Sequence, residues 1–175
     1  PATDEFYSSS VWGGGLNTGL STQTSKNYEL GLKHNFNDNF NLNLTLFSMK
    51  MDNEIYYNLI NFANENYPKT IHQGLELSSG LKFWDKVKLF TNYAYTDAEF
   101  TKGDFIGNKI PMVPVHKWSL GVEVEPIKNL IFNLITTFIG ERFQISDLNN
   151  AFPRMPSYYL LDLNLSYKIN QNAKV

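Results

Sequence analysis

The chain of 175 residues contains no cysteine. That removes disulfide frameworks, thiolate metal sites and cysteine nucleophiles, and leaves the redox compartment open. It also lacks any run of about 18 apolar residues, so no segment reads as a transmembrane helix. Transmembrane β-strands stay open, because they need only about 10 residues of alternating character and their average hydropathy is ordinary. No basic block is present: 15 Lys and Arg stand against 17 Asp and Glu, which argues against nucleic acid as a partner. The three histidines, His34, His72 and His116, are scattered, with no H-x-x-x-H and no carboxylate at ligand spacing. Neither a metal site nor a cofactor is therefore expected. Gly13-Gly14-Gly15 has neither the lysine nor the strand–helix context of a phosphate loop, and there is no nucleophile elbow or dinucleotide fingerprint. No spacing singles out a Ser, His and acid triad, so the expectation is a protein that is not an enzyme. Pro1 is not preceded by Met, a basic n-region or an apolar h-region, which reads as a cut chain or a fragment of something longer.

What the chain does have is aromatic side chains, 15% of the total, together with frequent Asn, Thr and Gly. That mixture favours β-structure with many turns. Alternation of period two then recurs along the chain. Tyr28, Leu30, Leu32 and Phe36 oppose Glu29, Gly31, Lys33 and Asn35, with His34 interrupting the apolar row. Phe40, Leu42, Leu44 and Leu46 oppose Asn41, Asn43 and Thr45. The phase then blurs at Phe47, Met49 and Met51, which suggests a bulge or a strand rising out of its apolar layer. Residues 70–83, 87–101, 117–125, 130–143 and 158–168 alternate in the same way. Residues 1–7 could be the end of one more strand.

The connections alternate as well. Roughly 3–5 residues join one end of each strand pair and roughly 14–20 the other, whereas soluble sandwiches use short connections throughout. The long ones, 8–25, 52–69, 102–115 and 144–157, are read as loops without strands of their own. Short turns at one end and long loops at the other are the pattern of outer-membrane barrels. Aromatics flank the apolar rows, as at Tyr28 with Phe36 and Tyr159 with Tyr167, and resemble interfacial girdles. Charges stand mid-strand on the opposite face, at Glu29, Lys33, Glu76 and Lys82. A dry core would make them costly, whereas a wet or protein-filled lumen accepts them. The solvated side of a soluble β-sandwich accepts them equally, so a binding or adhesion module stays open, as does a small porin-like barrel.

Residues 108–125, NKIPMVPVHKWSLGVEVE, show the module in one piece. Pro111 and Pro114 make the first half an extended connector. Trp118, Leu120, Val122 and Val124 then form an apolar row that should face lipid, with Lys117 and Glu123 toward the lumen. Asp52 with Glu54 and Asp97 with Glu99 share faces at i, i+2, and as they border loops they read as solvated charges. Ligand contact should come from the long loops. Their aromatic and amide groups, Tyr56, Tyr57, Tyr67, Phe105, Asn149 and Phe152, suit an aromatic or carbohydrate-like ligand. The bland alternative is that they pack loop on loop or face lipopolysaccharide.

Several segments also resemble the barrels of TonB-dependent outer-membrane receptors. Asn27-Tyr28-Glu29-Leu30-Gly31-Leu32-Lys33 is similar to the family's NYELGLK-type strand. Gly74-Leu75-Glu76-Leu77 and Asn92-Tyr93-Ala94-Tyr95-Thr96-Asp97-Ala98 are similar to later strands. Gly107 to Lys117 resembles the approach G-x-x-I-P-x-V-P-x-H-K, and Leu161-Asp162-Leu163 with Ser166-Tyr167-Lys168 resembles a D-L…S-Y-K strand. The resemblance implies an all-β, antiparallel, up-and-down transmembrane barrel of about 22 strands, of which residues 1–175 would supply about eight. It implies a receptor in a Gram-negative-type outer membrane, in contact with its lipid. The receptor would take up a scarce nutrient such as an iron–siderophore or cobalamin, coupled to the TonB complex through a plug that these residues do not include.

Overall fold

The computed structural model describes residues 17–59, 61–83 and 86–169. They form β1 (Thr24–Asn37), β2 (Phe40–Asp52), β3 (Ile55–Asn58), β4 (Ala63–Asn66), β5 (Lys69–Phe83), β6 (Val87–Lys102), β7 (His116–Val124), β8 (Leu130–Ile139) and β9 (Tyr158–Tyr167). Seven of these make one antiparallel meander in the order β1-β2-β5-β6-β7-β8-β9, while β3 and β4 pair only with each other. The meander has two ends, at β1 and β9, and does not close. It is an arc of a barrel wall. The strand that residues 1–7 could end, and the glycine-rich part of the first long loop, lie outside the described residues.

Register shows why the alternating patterns belong together. Residues directly opposed across an antiparallel pair share a face. One register row runs Leu32, Leu44, Leu77, Tyr93, Trp118, Phe138 and Tyr159 across all seven strands. The adjacent row, one residue along, runs Lys33, Asn43, Ser78, Asn92, Ser119, Thr137 and Leu160. The apolar rows of separate strands therefore merge into one wide outer face, backed by a mostly polar inner one. Leu30 is 71% exposed and Leu161 70%; no second sheet covers that face among the described residues. A sandwich would bury those rows against a partner sheet. Trp118, Leu120 and Val122 lie on the same open face.

Short turns close the other end. Asn129 sits at φ 73°, a left-handed geometry that asparagine tolerates. Its backbone N–H donates to the Glu125 carboxylate at 2.9 Å, and its carbonyl accepts from the N–H of Lys168 at 2.9 Å.

β5 and β6 hold 15 and 16 residues. At about 3.3 Å per residue they reach about 50 Å, and at about 45° of tilt they still outreach an apolar band about 25 Å tall. Their long-loop ends stand clear of that band. There the blur at Phe47, Met49 and Met51 finds its cause, which is not a bulge. β2 pairs without interruption with β5 from Phe40 to Asp52. The register shifts lie instead at Asn35/Asn37 and Lys69/Thr70. Phe47, Met49 and Met51 are inner-face residues of a strand that has risen past its apolar outer rows. Ser25, Met51, Thr70 and Phe100 form one inner row, and there Met51 is 7% exposed, Thr70 1% and Phe100 1%. The long loops cover it.

Candidate functional site

The loops fold over the inner side of the risen strands as one layer. Residues 108–110 run antiparallel along β6: Phe100 N–H donates to the Asn108 carbonyl and Ile110 N–H to that of Ala98, both at 3.0 Å. This places Ile110 on the inner face with Ala98 and Phe100. Tyr67, Ala98, Phe100 and Ile110 are the buried cluster, with Tyr56, Phe105, Val113 and Leu148 packed on it. The Tyr56 and Tyr67 rings stack at 3.9 Å, and Phe100 meets Tyr67 edge-on at 4.8 Å.

The loop 52–69 is not strandless: β3 and β4 form a hairpin inside it. Glu65 holds that hairpin together, accepting from Tyr56 Oη at 2.8 Å, Asn58 Nδ2 at 2.9 Å and Asn61 Nδ2 at 2.5 Å. Burial opposes the Glu65 charge, but those three donors outweigh it and lower its pKa. The same bond works the other way on Tyr56, where burial and then the Glu65 carboxylate push the phenol up to about 12. Burial, with the neighbouring Tyr56 and Glu54, raises Tyr67 further still. Both rings stay protonated at any physiological pH.

Several side chains that the sequence scatters meet here. His72 does have a carboxylate partner. Glu54 Oε2 lies 3.1 Å from His72 Nε2 and accepts from Thr70 Oγ1 at 2.6 Å. Glu54 is thus a half-buried inner-wall acid, not the solvated loop charge expected of it. Asp52, its neighbour on the chain, pairs instead with Lys69 at 2.5 Å. Asp97 and Glu99 do not act as an acid pair either: both hold Lys109 Nζ, at 2.5 Å and 3.1 Å. Burial disfavours the Lys109 ammonium, but these two carboxylates more than compensate and raise its pKa. Among the described residues no three His, Asp or Glu side chains gather so as to hold a metal ion.

Asp147, 4% exposed, organises the last long loop. Its two oxygens accept the N–H groups of Ala151 at 2.9 Å and Phe152 at 3.1 Å. Asn150 then pairs both ways with the backbone of Lys109, at 2.6 Å and 2.9 Å. Asn108 Nδ2 donates to the Leu148 carbonyl, and Leu59 N–H to Ser146 Oγ. Three long loops are bound into one layer, and residues 17–23 of the first join it through Asn64, Asn66 and Ile55.

Of the six loop residues expected to contact ligand, the structure brings Tyr56, Tyr57 and Tyr67 to one cleft of about 200 Å³, shared with Ile110, Met112 and Ile145. Tyr57 is 37% exposed and presents its ring, while Tyr67 at 5% is structural packing. Phe105 lies behind, against Phe100. Asn149 and Phe152 sit apart from the cleft on the last loop and are exposed. Sequence reasoning missed two arginines. Arg154 stacks over Phe143 at 4.9 Å and Arg142 over Tyr158 at 5.1 Å, and Arg154 shares a second cleft of about 340 Å³ with His116 and Glu141.

Removing the Glu54 charge should loosen this layer. The folded state holds the Glu54 pKa low: burial raises it, but hydrogen bonds from His72 and Thr70 and the His72 charge lower it by more. A depressed carboxyl stabilises the fold fully above its unfolded value near ~4.3, and that stabilisation is lost as pH falls through the folded value. Hydrogen exchange of the loop amides should accelerate on acidification below that range, and Glu54→Gln should flatten the pH dependence. An unchanged profile in the variant would show that Glu54 is not the responsible group.

A meander with short turns at one end and a bonded loop layer over its inner face at the other is the wall of an outer-membrane-type β-barrel. The family described as TonB dependent receptor-like, beta-barrel matches residues 1–175, and the chain belongs to it. It is similar to the metal-pseudopaline receptor CntO of Pseudomonas aeruginosa, 26% identical over 162 residues covering 86% of this chain and 22% of that protein. The structure of the ferric citrate transporter FecA superposes with a TM-score of 0.67 and 27% identity, over 83% of this chain and 24% of that one. A variant of the ferric enterobactin receptor PfeA from Pseudomonas aeruginosa superposes with a TM-score of 0.69 over 89% of this chain and 25% of that one; at 22% identity it shows the fold alone. The chain thus spans 22% of the length of CntO and similar shares of the other two.

Proposed function

We propose that this chain is part of the barrel of an outer-membrane receptor that takes up a scarce nutrient, and that its loop layer supplies contacts to a small-molecule metal chelate. The observation that carries this reading is the inward fold of the loops. They close over the side of the wall bearing Lys33, Asn43, Ser78 and Asn92, so the tyrosine cleft overlooks the lumen and not the lipid. CntO and FecA are named for metal-pseudopaline and ferric citrate, which favours a chelate over cobalamin. An exposed ring beside apolar Met112 and Ile145 suits a planar or aromatic chelator. Transport coupling, in this reading, passes through a plug and the TonB complex.

Binding to the whole receptor tests it, with ferric catecholate, ferric hydroxycarboxylate and cobalamin as ligands. Tyr57→Ala should weaken the preferred chelate about tenfold or more, as removal of an exposed aromatic anchor does, whereas Phe152→Ala should not. Equal affinity for Tyr57→Ala and wild type would remove the cleft from the binding site. Preference for cobalamin would overturn the chelate assignment.

A further inference from the structure

Among the described residues, several that are not glycine stand at positive φ, and Asn53, Asn129 and Asn150 are the kind that tolerates it. Their short polar side chains bond locally in the left-handed region. Met112 is of another kind. It stands at φ 65°, where the Cβ of an L-residue crowds the following carbonyl oxygen, a penalty of roughly fivefold or more in population. Pro111 precedes it in the same turn. Proline holds φ at about −65°, so the pair follows the type II pattern, whose second central position favours Gly or Asn.

The backbone is clamped on both sides of this turn. The Met112 N–H donates to the Phe143 carbonyl at 3.0 Å, and Ile110, whose N–H donates to the Ala98 carbonyl, is 3% exposed in the cluster beneath. The left-handed step turns the chain between them: Ile110 points into the layer, whereas Met112 is 43% exposed and lines the tyrosine cleft. Across the cleft Ile145 is likewise 43% exposed. It precedes Ser146, at φ 64°, whose Oγ accepts from the Leu59 N–H. Two loops thus hold apolar side chains out beside the ring of Tyr57, each with a left-handed residue at or next to the cleft. Strain that persists because its surroundings over-determine it clusters at ligand sites.

Charge decides what can lie on this surface. Among the described residues the cleft lining has one acid, Glu54, already bonded to Thr70 and His72, and no Lys, Arg or His. A face rich in carboxylates would meet no cation there. An aromatic face would meet a thioether, an exposed ring and an alkyl group, and sulfur against a ring is a favourable contact.

We infer that Met112 is a specificity-determining residue of the cleft, selecting a chelate whose exposed face is aromatic over one that presents carboxylates. The inference rests on the chelate reading proposed above.

The test titrates the whole receptor with the ferric complex of a tris-catecholate and with ferric citrate, and reads loop hydrogen exchange on the same samples. Met112→Ala keeps the left-handed backbone and removes the side chain. Met112→Gly removes the side chain and the strain together. Met112→Leu keeps the volume and removes the sulfur. Both truncations should weaken the catecholate complex about tenfold and leave ferric citrate unchanged. Met112→Leu should lose about threefold, the scale of one sulfur–ring contact. Protection of residues 104–114 should be about threefold higher in Met112→Gly than in Met112→Ala, because glycine escapes the left-handed penalty and returns only part of it as unfolded-state freedom.

Equal protection in those two variants overturns the strain. Equal losses for both ligands, or a wild-type receptor that prefers ferric citrate, overturn the selection. Met112→Leu binding as wild type overturns the sulfur contact. Tyr57→Ala separates the two readings. If it and Met112→Gly both leave catecholate affinity unchanged, the cleft is not the binding site and both readings fall; if Tyr57→Ala weakens binding and Met112→Gly does not, this inference alone falls.

Discussion

Leu44→Arg should destabilise the folded barrel by about 2–4 kcal/mol, while Asn43→Arg should cost no more than about 1 kcal/mol. The two positions are neighbours on β2 and point to opposite faces. Leu44 lies between Leu32 and Leu77 in the outer apolar row. Several apolar residues precede and follow it on that face, so it sits near the middle of the lipid-facing band, where an arginine has the farthest to reach for water. Asn43 lies between Lys33 and Ser78 on the inner face and donates to Ser78 Oγ at 3.1 Å. An arginine there loses one exchangeable hydrogen bond and joins polar neighbours. Denaturant unfolding of the receptor in phospholipid vesicles measures both. The contrast is what matters, because a soluble sheet with one solvated apolar face would show neither penalty. Equal costs at the two positions would contradict the assignment of faces, and a larger cost at Asn43 would reverse it.

The same contrast explains what could be read from the residues alone. Each strand of the wall separates two environments, so its side chains alternate with period two, and every long strand of the meander announces itself. The signal weakens where the wall stops separating lipid from lumen. At Phe47, Met49 and Met51 apolar residues appear on the inner face, where Met51 joins Thr70 and Phe100 in a buried row supplied by strands far along the chain. Nothing near Met51 foretells Tyr67 or Phe100. The hairpin β3–β4 was hidden for a similar reason. Ala63-Asn64-Glu65-Asn66 has no β-branched or alternating pattern; it is a strand because Glu65 gathers Tyr56, Asn58 and Asn61. Glu54 and His72 stand 18 positions apart, joined across a loop whose path no spacing rule describes. Asp147 had a local cue in Ser146-Asp147-Leu148-Asn149-Asn150, a run that favours side-chain-to-backbone turns. What the run could not show is that Asn150 would dock on Lys109, 41 positions away. Of the six loop residues named as ligand contacts, residue type alone did not separate the exposed ring of Tyr57 from the buried ring of Tyr67, since burial is decided by the partner loops.

Phe100→Ala should release the loop layer and leave the barrel standing. Phe100 is 1% exposed and lies under the layer, with Tyr67 edge-on at 4.8 Å and Phe105 at 5.7 Å. Truncating a buried phenylalanine costs about 3–5 kcal/mol through lost transfer and the cavity left behind. Here the loss falls on a local equilibrium, because Phe100 stands near the end of β6, beyond the apolar band, and contacts loops more than wall. A layer held by one small aromatic cluster and scattered hydrogen bonds belongs to the low-stability end of the structure. A cost of that size shifts its docked–undocked equilibrium more than a hundredfold. Three results should follow together. Amides of residues 53–67 and 104–114 should lose hydrogen-exchange protection. Amides of β2 and β5 between the apolar rows should keep theirs. Ligand affinity should fall by the fraction of receptors whose layer is no longer docked, since a ligand that needs the docked state meets it less often. Tyr57→Ala separates this scaffold effect from a contact effect: it should lower affinity with loop protection unchanged. Phe100→Leu, which refills most of the volume, should recover both protection and affinity. If Phe100→Ala instead lowered barrel and loop protection equally, the layer and the wall would be one cooperative unit, and the tyrosine cleft would owe its shape to the whole wall and not to the cluster at Phe100.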